Sequence, residues 1–243
     1  MPLQIALIGA TGRTGRAVAA AASEHEAIVV SALTRRDDLN AGIRRAEVVL
    51  DFSSHEVTAR VIELAVRHGK PLVIGTTGHS AAEKDVLLRQ AARVPSVWSG
   101  NYSVGVNLLF ALAQRAAAAL GGEFDAEILE VHHRFKRDAP SGTATRLLEI
   151  LQQGTADAPI LPKHGRNGLS DGRDAAEIGV HAIRGGDVMG DHVLIFASLG
   201  ERLELAHRTS SRAIFARGAL CAARWVVAQQ PGVYDMQDVL GLK

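Results

Sequence analysis

One cysteine in 243 residues, Cys221, leaves no internal disulfide framework and no multi-cysteine metal or iron–sulfur site. Aromatic residues make up only 4%, too few for a surface built to stack nucleic-acid bases. An excess of one charge is also missing. Against 26 Asp and Glu stand 27 Lys and Arg, a formal net charge of +1, which argues against a polyphosphate track held by bulk positive potential. Uninterrupted apolar runs reach about half a dozen residues where a bilayer span needs roughly 20, so neither membrane nor nucleic acid is an expected partner. The opening Met1-Pro2-Leu3-Gln4 lacks the charged start and apolar run of a secretory signal. The expectation is a cytoplasmic globular protein, long enough for one large domain or two modest ones.

What is present falls into two rhythms. Up to residue 100, short apolar runs (Ile5–Ile8, Ala27–Leu33, Val48–Leu50, Leu72–Ile74, Ser96–Trp98) alternate with helical stretches. These are the Ala-rich 16–22, the segment carrying Val57, Val61, Leu64 and Ala65 at helical spacing, and 81–92. Such βαβα alternation predicts an N-terminal Rossmann-like, doubly wound parallel sheet. Beyond Gly100 comes a long helix over 106–120, stopped by Gly121-Gly122. Longer strands follow at 124–132, 177–184, 192–199 and 202–208, with residue types alternating at a period of two. This region reads as an α+β domain with a mixed, largely antiparallel open sheet and a tight hairpin at Leu199-Gly200-Glu201. Residues 154–172 read as a long loop. A last helix is expected to present Ile214, Gly218, Cys221, Ala222 and Trp225 on one face and to return to the first domain. The expected division is 1–103 with 213–243, and 104–212.

Gly9-Ala10-Thr11-Gly12-Arg13-Thr14-Gly15 joins the first strand to the first helix. The GxxGxxG spacing is a variant of the dinucleotide fingerprint, in which glycines allow a tight turn and let backbone N–H groups approach a pyrophosphate. No Gly-Lys-Ser/Thr follows, so it is not a Walker loop. After the second strand, where an acid would hold the adenosine ribose of NAD, stand Thr34, Arg35 and Arg36. Their donors and charge suit a 2′-phosphate, so NADPH is expected to be preferred, with NADH possible. Short-chain dehydrogenase chemistry needs a Tyr and a Lys four residues later. Here Val106 and Asp238 follow Tyr102 and Tyr234 at that spacing, so the mechanism is not available.

The densest chemistry lies between Glu130 and Ala144, where His132, His133 and Lys136 leave the end of a predicted strand. Ala139-Pro140 favours an extended approach, and Ser141 suits the N-cap of a helix whose first N–H groups, at Gly142 and Thr143, can take a carboxylate. Zinc ligation is not expected, because adjacent strand residues face opposite sides and no thiolate accompanies the two histidines.

The segment Glu-x-His-His-x-x-Lys-x-Asp-Ala-Pro-Ser-Gly-Thr-Ala resembles the 4-hydroxy-tetrahydrodipicolinate (dihydrodipicolinate) reductase family. The glycine loop, Gly75-Thr76-Thr77-Gly78, Asn101–Asn107, Arg184-Gly185-Gly186-Asp187, Glu201–Glu204 and Ser210-Ser211-Arg212 extend that resemblance over nearly the whole chain. The resemblance implies reduction of a cyclic imino dicarboxylate in lysine and diaminopimelate biosynthesis, and a homotetramer formed through the second domain's open sheet. It implies that Gly9, Ala10, Thr11, Gly12, Arg13 and Thr14 hold the pyrophosphate and that Thr34 and Arg35 lie near the adenosine ribose. Gly75, Thr76, Thr77, Ser99, Gly100, Asn101 and Tyr102 would line the nicotinamide side. His132 matches the family's proton donor and acceptor, and Lys136 its proton donor. His133, Ser141, Gly142 and Thr143 would bind the substrate, and no metal is implied. Two departures stand out: Thr34 replaces an acid that many members carry, and the stretch 37–47 looks short. The alternatives are a non-catalytic dinucleotide sensor and another amino-acid-pathway dehydrogenase with a different substrate domain.

Overall fold

The computed structural model describes residues 1–153, 161–169 and 171–243. In chain order the first elements are β1 (Leu3–Ile8), α1 (Arg13–Ala21), β2 (Ala27–Leu33), α2 (Leu39–Arg44), β3 (Val48–Asp51) and α3 (His55–Arg67). Then come β4 (Leu72–Ile74), α4 (Ala81–Ala91), β5 (Pro95–Trp98), α5 (Val104–Leu120), β6 (Asp125–His132) and α6 (Gly142–Gln153). The last are β7 (Leu161–Lys163), β8 (Glu177–Arg184), β9 (Gly190–Ser198), β10 (Glu201–Thr209), α7 (Ala213–Val226), β11 (Gly232–Tyr234) and α8 (Met236–Val239). The chain divides into two compact units, Met1–Val104 with Arg212–Lys243, and Gly105–Ser211.

In the first unit six parallel strands follow the order β11-β5-β4-β3-β1-β2. Helices cover both faces, so every central strand is apolar on both sides. Ile5 and Leu7 of β1 enter the core beneath α1 and α7, while Ala6 and Ile8 enter the opposite core with Val61, Ile62 and Leu64 of α3. That double burial is why these strands read as unbroken apolar runs. α3 ends as its sequence predicts, with His68 bonding back to Leu64 and Gly69 in the left-handed region at φ +61°.

α7 packs on α1 and beneath β3, β4 and β5 in this unit. Its buried residues are Ala216, Gly218, Ala219, Leu220, Ala222, Ala223 and Val226, whereas Cys221 is exposed and Ile214 and Trp225 are only half-buried. The expected face is therefore corrected: small residues let two adjoining stripes of the helix pack closely, and the larger side chains sit at their margins. At Gly218 an added Cβ would stand 1.6 Å from the Tyr102 carbonyl oxygen. β11 and α2, neither expected, complete the sheet edge and the 37–47 connection.

The second unit holds a mixed sheet in the order β10-β9-β6-β8-β7. The β10–β9–β6 part is antiparallel, as the alternation suggests; β8 and β7 join in parallel. Leu199 and Gly200, with Gly200 at φ +90°, form the two-residue link of the β9–β10 hairpin. α5 and α6 cover one face, where Leu109, Ala113, Leu147 and Ile150 meet Ile128, Val180, Leu194 and Phe196. Of the expected loop 154–172, residues 154–160 and 170 lie outside the described residues. Leu161–Lys163 is corrected to an edge strand paired with β8; all three residues are exposed, and an edge tolerates Pro162.

Among the described residues one helical stretch, Val104–Glu123, is long and apolar enough by composition to cross a membrane. In the sequence Asn107, Gln114 and Arg115 break this stretch into short apolar runs. Its Leu109, Ala113 and Ala117 are core residues of the second unit.

Replacing Gly218 with Ala should lower the unfolding free energy by about 1–3 kcal/mol through overpacking against the Tyr102 backbone. Urea denaturation followed by circular dichroism checks this; an unchanged midpoint would contradict the close contact.

Candidate active site

The strand order reverses direction at β1, since β2 lies to one side of it and β3, β4 and β5 to the other. In doubly wound sheets ligands bind outside the strand carboxyl ends at that point. There a cleft of ≈ 470 Å³ is lined by Gly9, Thr11 and Gly12 after β1, Thr34, Arg35 and Arg36 after β2, and Phe52, Ser53, Ser54 and Val57 after β3. Gly9 has φ +81°, and an added Cβ would stand 2.3 Å from the Phe52 carbonyl oxygen. At Gly15 a Cβ would stand 2.2 Å from the Gly9 carbonyl oxygen. The turn is thus as tight as the fingerprint requires. α1 opens at Gly12 without a side-chain cap, and Arg13 and Thr14 form its first turn. Ala10 N–H donates to the Leu33 carbonyl, so that amide is spent inside the fold.

After β2, the Thr34 backbone N–H and hydroxyl both donate to Asp37 Oδ2 at 2.7 Å. These bonds hold the Asp37 carboxyl below its ordinary range and turn it back onto its own loop, beside exposed Arg35 and Arg36.

Under the cleft, Asp51 ends β3 fully buried. Its carboxylate accepts from the Ser53 N–H and hydroxyl and from Thr58 Oγ1 at 2.9 Å. Burial pushes its pKa up, and the three donors oppose that. Thr76 Oγ1 accepts from Ser53 N–H, joining Gly75-Thr76-Thr77 to the same loop. The Ser99 hydroxyl donates to the Asn101 carbonyl and accepts from its N–H, folding Ser99–Asn101 into a tight turn around Gly100. The Tyr102 ring lies in the core, with its hydroxyl 2.8 Å from the Ile74 carbonyl and 3.1 Å from that of Val97.

The second unit places its chemistry on the helix-covered face of the mixed sheet. Along β6, Ile128, Glu130 and His132 share that face by the period of two, and Ile128 belongs to the apolar core. Register sets His192 of β9 beside Glu130, and Arg184 of β8 beside His132. Arg184 grips Glu130 with two bonds of 2.8 Å, one to each carboxylate oxygen. Glu130 Oε2 also meets His132 Nδ1, and Oε1 accepts from Ser141 N–H at 3.1 Å.

Ser141 is buried, so its hydroxyl is not offered to solvent. It caps α6 by accepting from Ala144 N–H at 3.2 Å and lies 3.0 Å from His192 Nε2. Gly142 and Thr143 follow as the first turn of α6, and the Ala139–Pro140 peptide before them is cis. His133 to Lys136 form a turn closed by the Lys136 N–H on the His133 carbonyl. The Gly185 and Arg134 amides tie it to the 184–187 loop. Lys136 Nζ bonds Asp138 Oδ2 at 2.7 Å, and the His133 ring leans on exposed Phe135.

Burial raises the Glu130 carboxyl, but its bonds to Arg184 and His132 prevail and hold it below the usual range. Burial lowers His132; Glu130 resists this, while Lys136 and Arg184 add to it. His192, edge-on to His132 at 5.2 Å, is pushed down to about 4 by burial and by His132. Two neutral imidazoles beside one carboxylate–guanidinium pair make a site able to hold and release a single proton at His132.

Glu130, Arg184 and His192 are the residues that sequence reasoning did not single out for this site. The signal for Glu130 was its place two residues before His132 on a strand. The other two depended on inter-strand register.

A family model described as dihydrodipicolinate reductase, N-terminus, matches residues 3–102, and one described as dihydrodipicolinate reductase, C-terminus, matches residues 105–240. The chain is 47% identical over 245 residues to a 4-hydroxy-tetrahydrodipicolinate reductase of Akkermansia muciniphila, covering 99% of this chain and 98% of that one. To the protein of that name from Thiobacillus denitrificans it is 42% identical, with full coverage of both. A dipicolinate-bound dihydrodipicolinate reductase structure from Paenisporosarcina sp. TG-14 shares the fold with a TM-score of 0.77. It is 20% identical, over 98% of this chain and 99% of that one.

The His192 shift carries a sign. Between the ordinary imidazole value of 6.5 and about 4, the unfolded chain takes up a proton that folded His192 refuses. Stability is therefore lost as pH falls through that window, by up to about 3 kcal/mol from this group. Urea unfolding at neutral pH and near pH 4 should show His192→Gln losing less stability on acidification than the unmutated chain. An equal loss in both would contradict the assignment.

Proposed function

The chain belongs to the dihydrodipicolinate reductase family, and from that premise we propose which residues carry its reaction. The reaction is the NAD(P)H-dependent reduction of 4-hydroxy-tetrahydrodipicolinate to tetrahydrodipicolinate with loss of water, in lysine biosynthesis through diaminopimelate. In our reading the first unit holds the coenzyme and the second holds the substrate.

The cleft at the β1, β2 and β3 ends fits a dinucleotide. Cβ-free Gly9 and Gly15 leave room only for backbone, and the N-terminus of α1 opens beside the cleft without a side-chain cap. Gly9 to Thr14 would hold the pyrophosphate, Thr34 and Arg35 the adenosine ribose, and Gly75, Thr76, Thr77 and Ser99 to Tyr102 the nicotinamide side. Tyr102 would contribute through its backbone, since its ring is in the core. When bound, the coenzyme supplies the hydride. NADPH is the preferred form in this reading, because Arg35 and Arg36 are exposed at the cleft while the nearby Asp37 carboxylate is engaged by Thr34.

One observation carries the substrate site: Glu130 bonds both the His132 imidazole and the backbone of Ser141, so proton carrier and helix N-terminus are held together. Gly142 and Thr143 N–H groups, with His133, orient the substrate's carboxylates. As the conjugated ring carbon is reduced, electron density moves toward the ring nitrogen. A positioned acid lowers that barrier, by about 10²–10⁴-fold in rate. His132 is that proton donor and acceptor, and Lys136 is the second donor. The family's homotetramer is proposed here through the outward face of the mixed sheet, where Ile183 is exposed. Residence in the cytoplasm is proposed with it.

Two measurements test this. His132→Ala with Lys136→Ala should lower kcat by about 10²–10⁴-fold while reduced-coenzyme binding persists, and full turnover would refute the roles. The assay follows reduced-nicotinamide absorbance, with the imino substrate supplied by a coupled synthase. Arg35→Ala should lower kcat/KM for NADPH about tenfold more than for NADH, as expected for one charge-assisted contact. A clear NADH preference in the unmutated enzyme would sink the coenzyme assignment.

A further inference from the structure

Glu130 is an ionised carboxylate with no solvent exposure, next to the atom on which proton transfer depends. A buried charge is tolerated when its lone pairs are matched, and here each oxygen has two partners. Oε1 takes Arg184 and the Ser141 N–H, and Oε2 takes Arg184 and His132 Nδ1. Arg184 is itself anchored by bonds of 2.7 Å to the carbonyls of Ile183 and Asp138, so the guanidinium cannot swing away without breaking four contacts. An ionised carboxylate can only accept, so the ring nitrogen facing it carries the hydrogen. The opposite ring edge meets Gly190, where an added Cβ would stand 3.0 Å from His132 Nε2.

We propose that Glu130, clamped by Arg184, is a positioning residue for the reduction: it fixes the His132 ring as the Nδ1–H tautomer and leaves Nε2 as the atom that exchanges the proton with substrate. The charged and titratable groups around the ring agree with this division. Arg184 on β8 and Lys136 in the following turn oppose its protonation, and the His192 ring on β9 stands edge-on to it and neutral. Glu130, on its own strand, favours protonation. Without that carboxylate the ring would lose both its orientation and its main electrostatic support. The inference rests on His132 being the proton carrier of the proposed function.

Glu130→Gln in the full-length chain tests it. The expected result is a fall in kcat of up to about 10⁴-fold, as for other imidazoles deprived of an orienting carboxylate, with KM for the imino substrate changed less than about threefold. The limb of the kcat pH profile that reports His132 should move to lower pH by about one unit. Full kcat with an unmoved limb would overturn the proposal. Because the variant leaves Arg184 without its anion and can fail to fold, the tautomer is also read on the unmutated protein from the imidazole ¹⁵N shifts. A protonated Nδ1 with a bare Nε2 in neutral His132 supports the proposal, and the reverse pattern overturns it. Loss of substrate-dependent coenzyme oxidation in the unmutated enzyme would instead refute the functional reading and leave the tautomer result standing.

Discussion

The second unit is organised around one buried anion. Glu130 sits where β6, β8, β9 and the start of α6 converge, and its two oxygens are shared among Arg184, His132 and Ser141. Each partner belongs to a different element or to a different point on the same one, so the carboxylate fixes the relation of the strands to the helix as well as the orientation of a ring. Removing one member leaves another buried and unpaired, which is why such clusters are rigid. His192 extends the cluster through the Ser141 hydroxyl, which also caps α6.

In the first unit the corresponding constraint is steric. The β1–α1 turn works because two glycines let backbone pass where a Cβ would collide, at Gly9 against Phe52 and at Gly15 against Gly9. Asp51 then holds the neighbouring loop through Ser53 and Thr58, and Thr76 links that loop to the β4 end. The cleft walls are thus set by a buried carboxylate and its hydroxyl partners, while the residues that would meet a coenzyme remain at the rim. A buried carboxylate thus holds the loop beside the glycine turn in one unit and the His132 ring in the other.

Much of this was legible from the chain, for local reasons. Strands buried on both faces read as apolar runs, helix stops carried Gly69 and Gly121 at positive φ, and the β9–β10 turn carried Gly200. Less legible features were set by distant partners. β11 and α8 are three and four residues long and have no periodicity to detect. β7 is an exposed edge strand that owes its existence to β8. The packed face of α7 could not be told from its small residues alone, because alanines and glycine suit either stripe. At the site, the Glu130–His132 spacing was visible in one strand, but the meeting of residues 130, 184 and 192 depends on register between strands far apart in sequence.

The central claim is that the His132 imidazole and the α6 N-terminus form one substrate site, held together by Glu130. The most direct measurement is a crystal structure of this chain with reduced coenzyme and a flat cyclic dicarboxylate such as dipicolinate. The account predicts one carboxylate on the Gly142 and Thr143 amides, and the analogue's ring nitrogen side within hydrogen-bond reach, about 2.6–3.2 Å, of His132 Nε2. An analogue bound away from α6, or His132 approaching it through Nδ1 with the Glu130 contact broken, would contradict it.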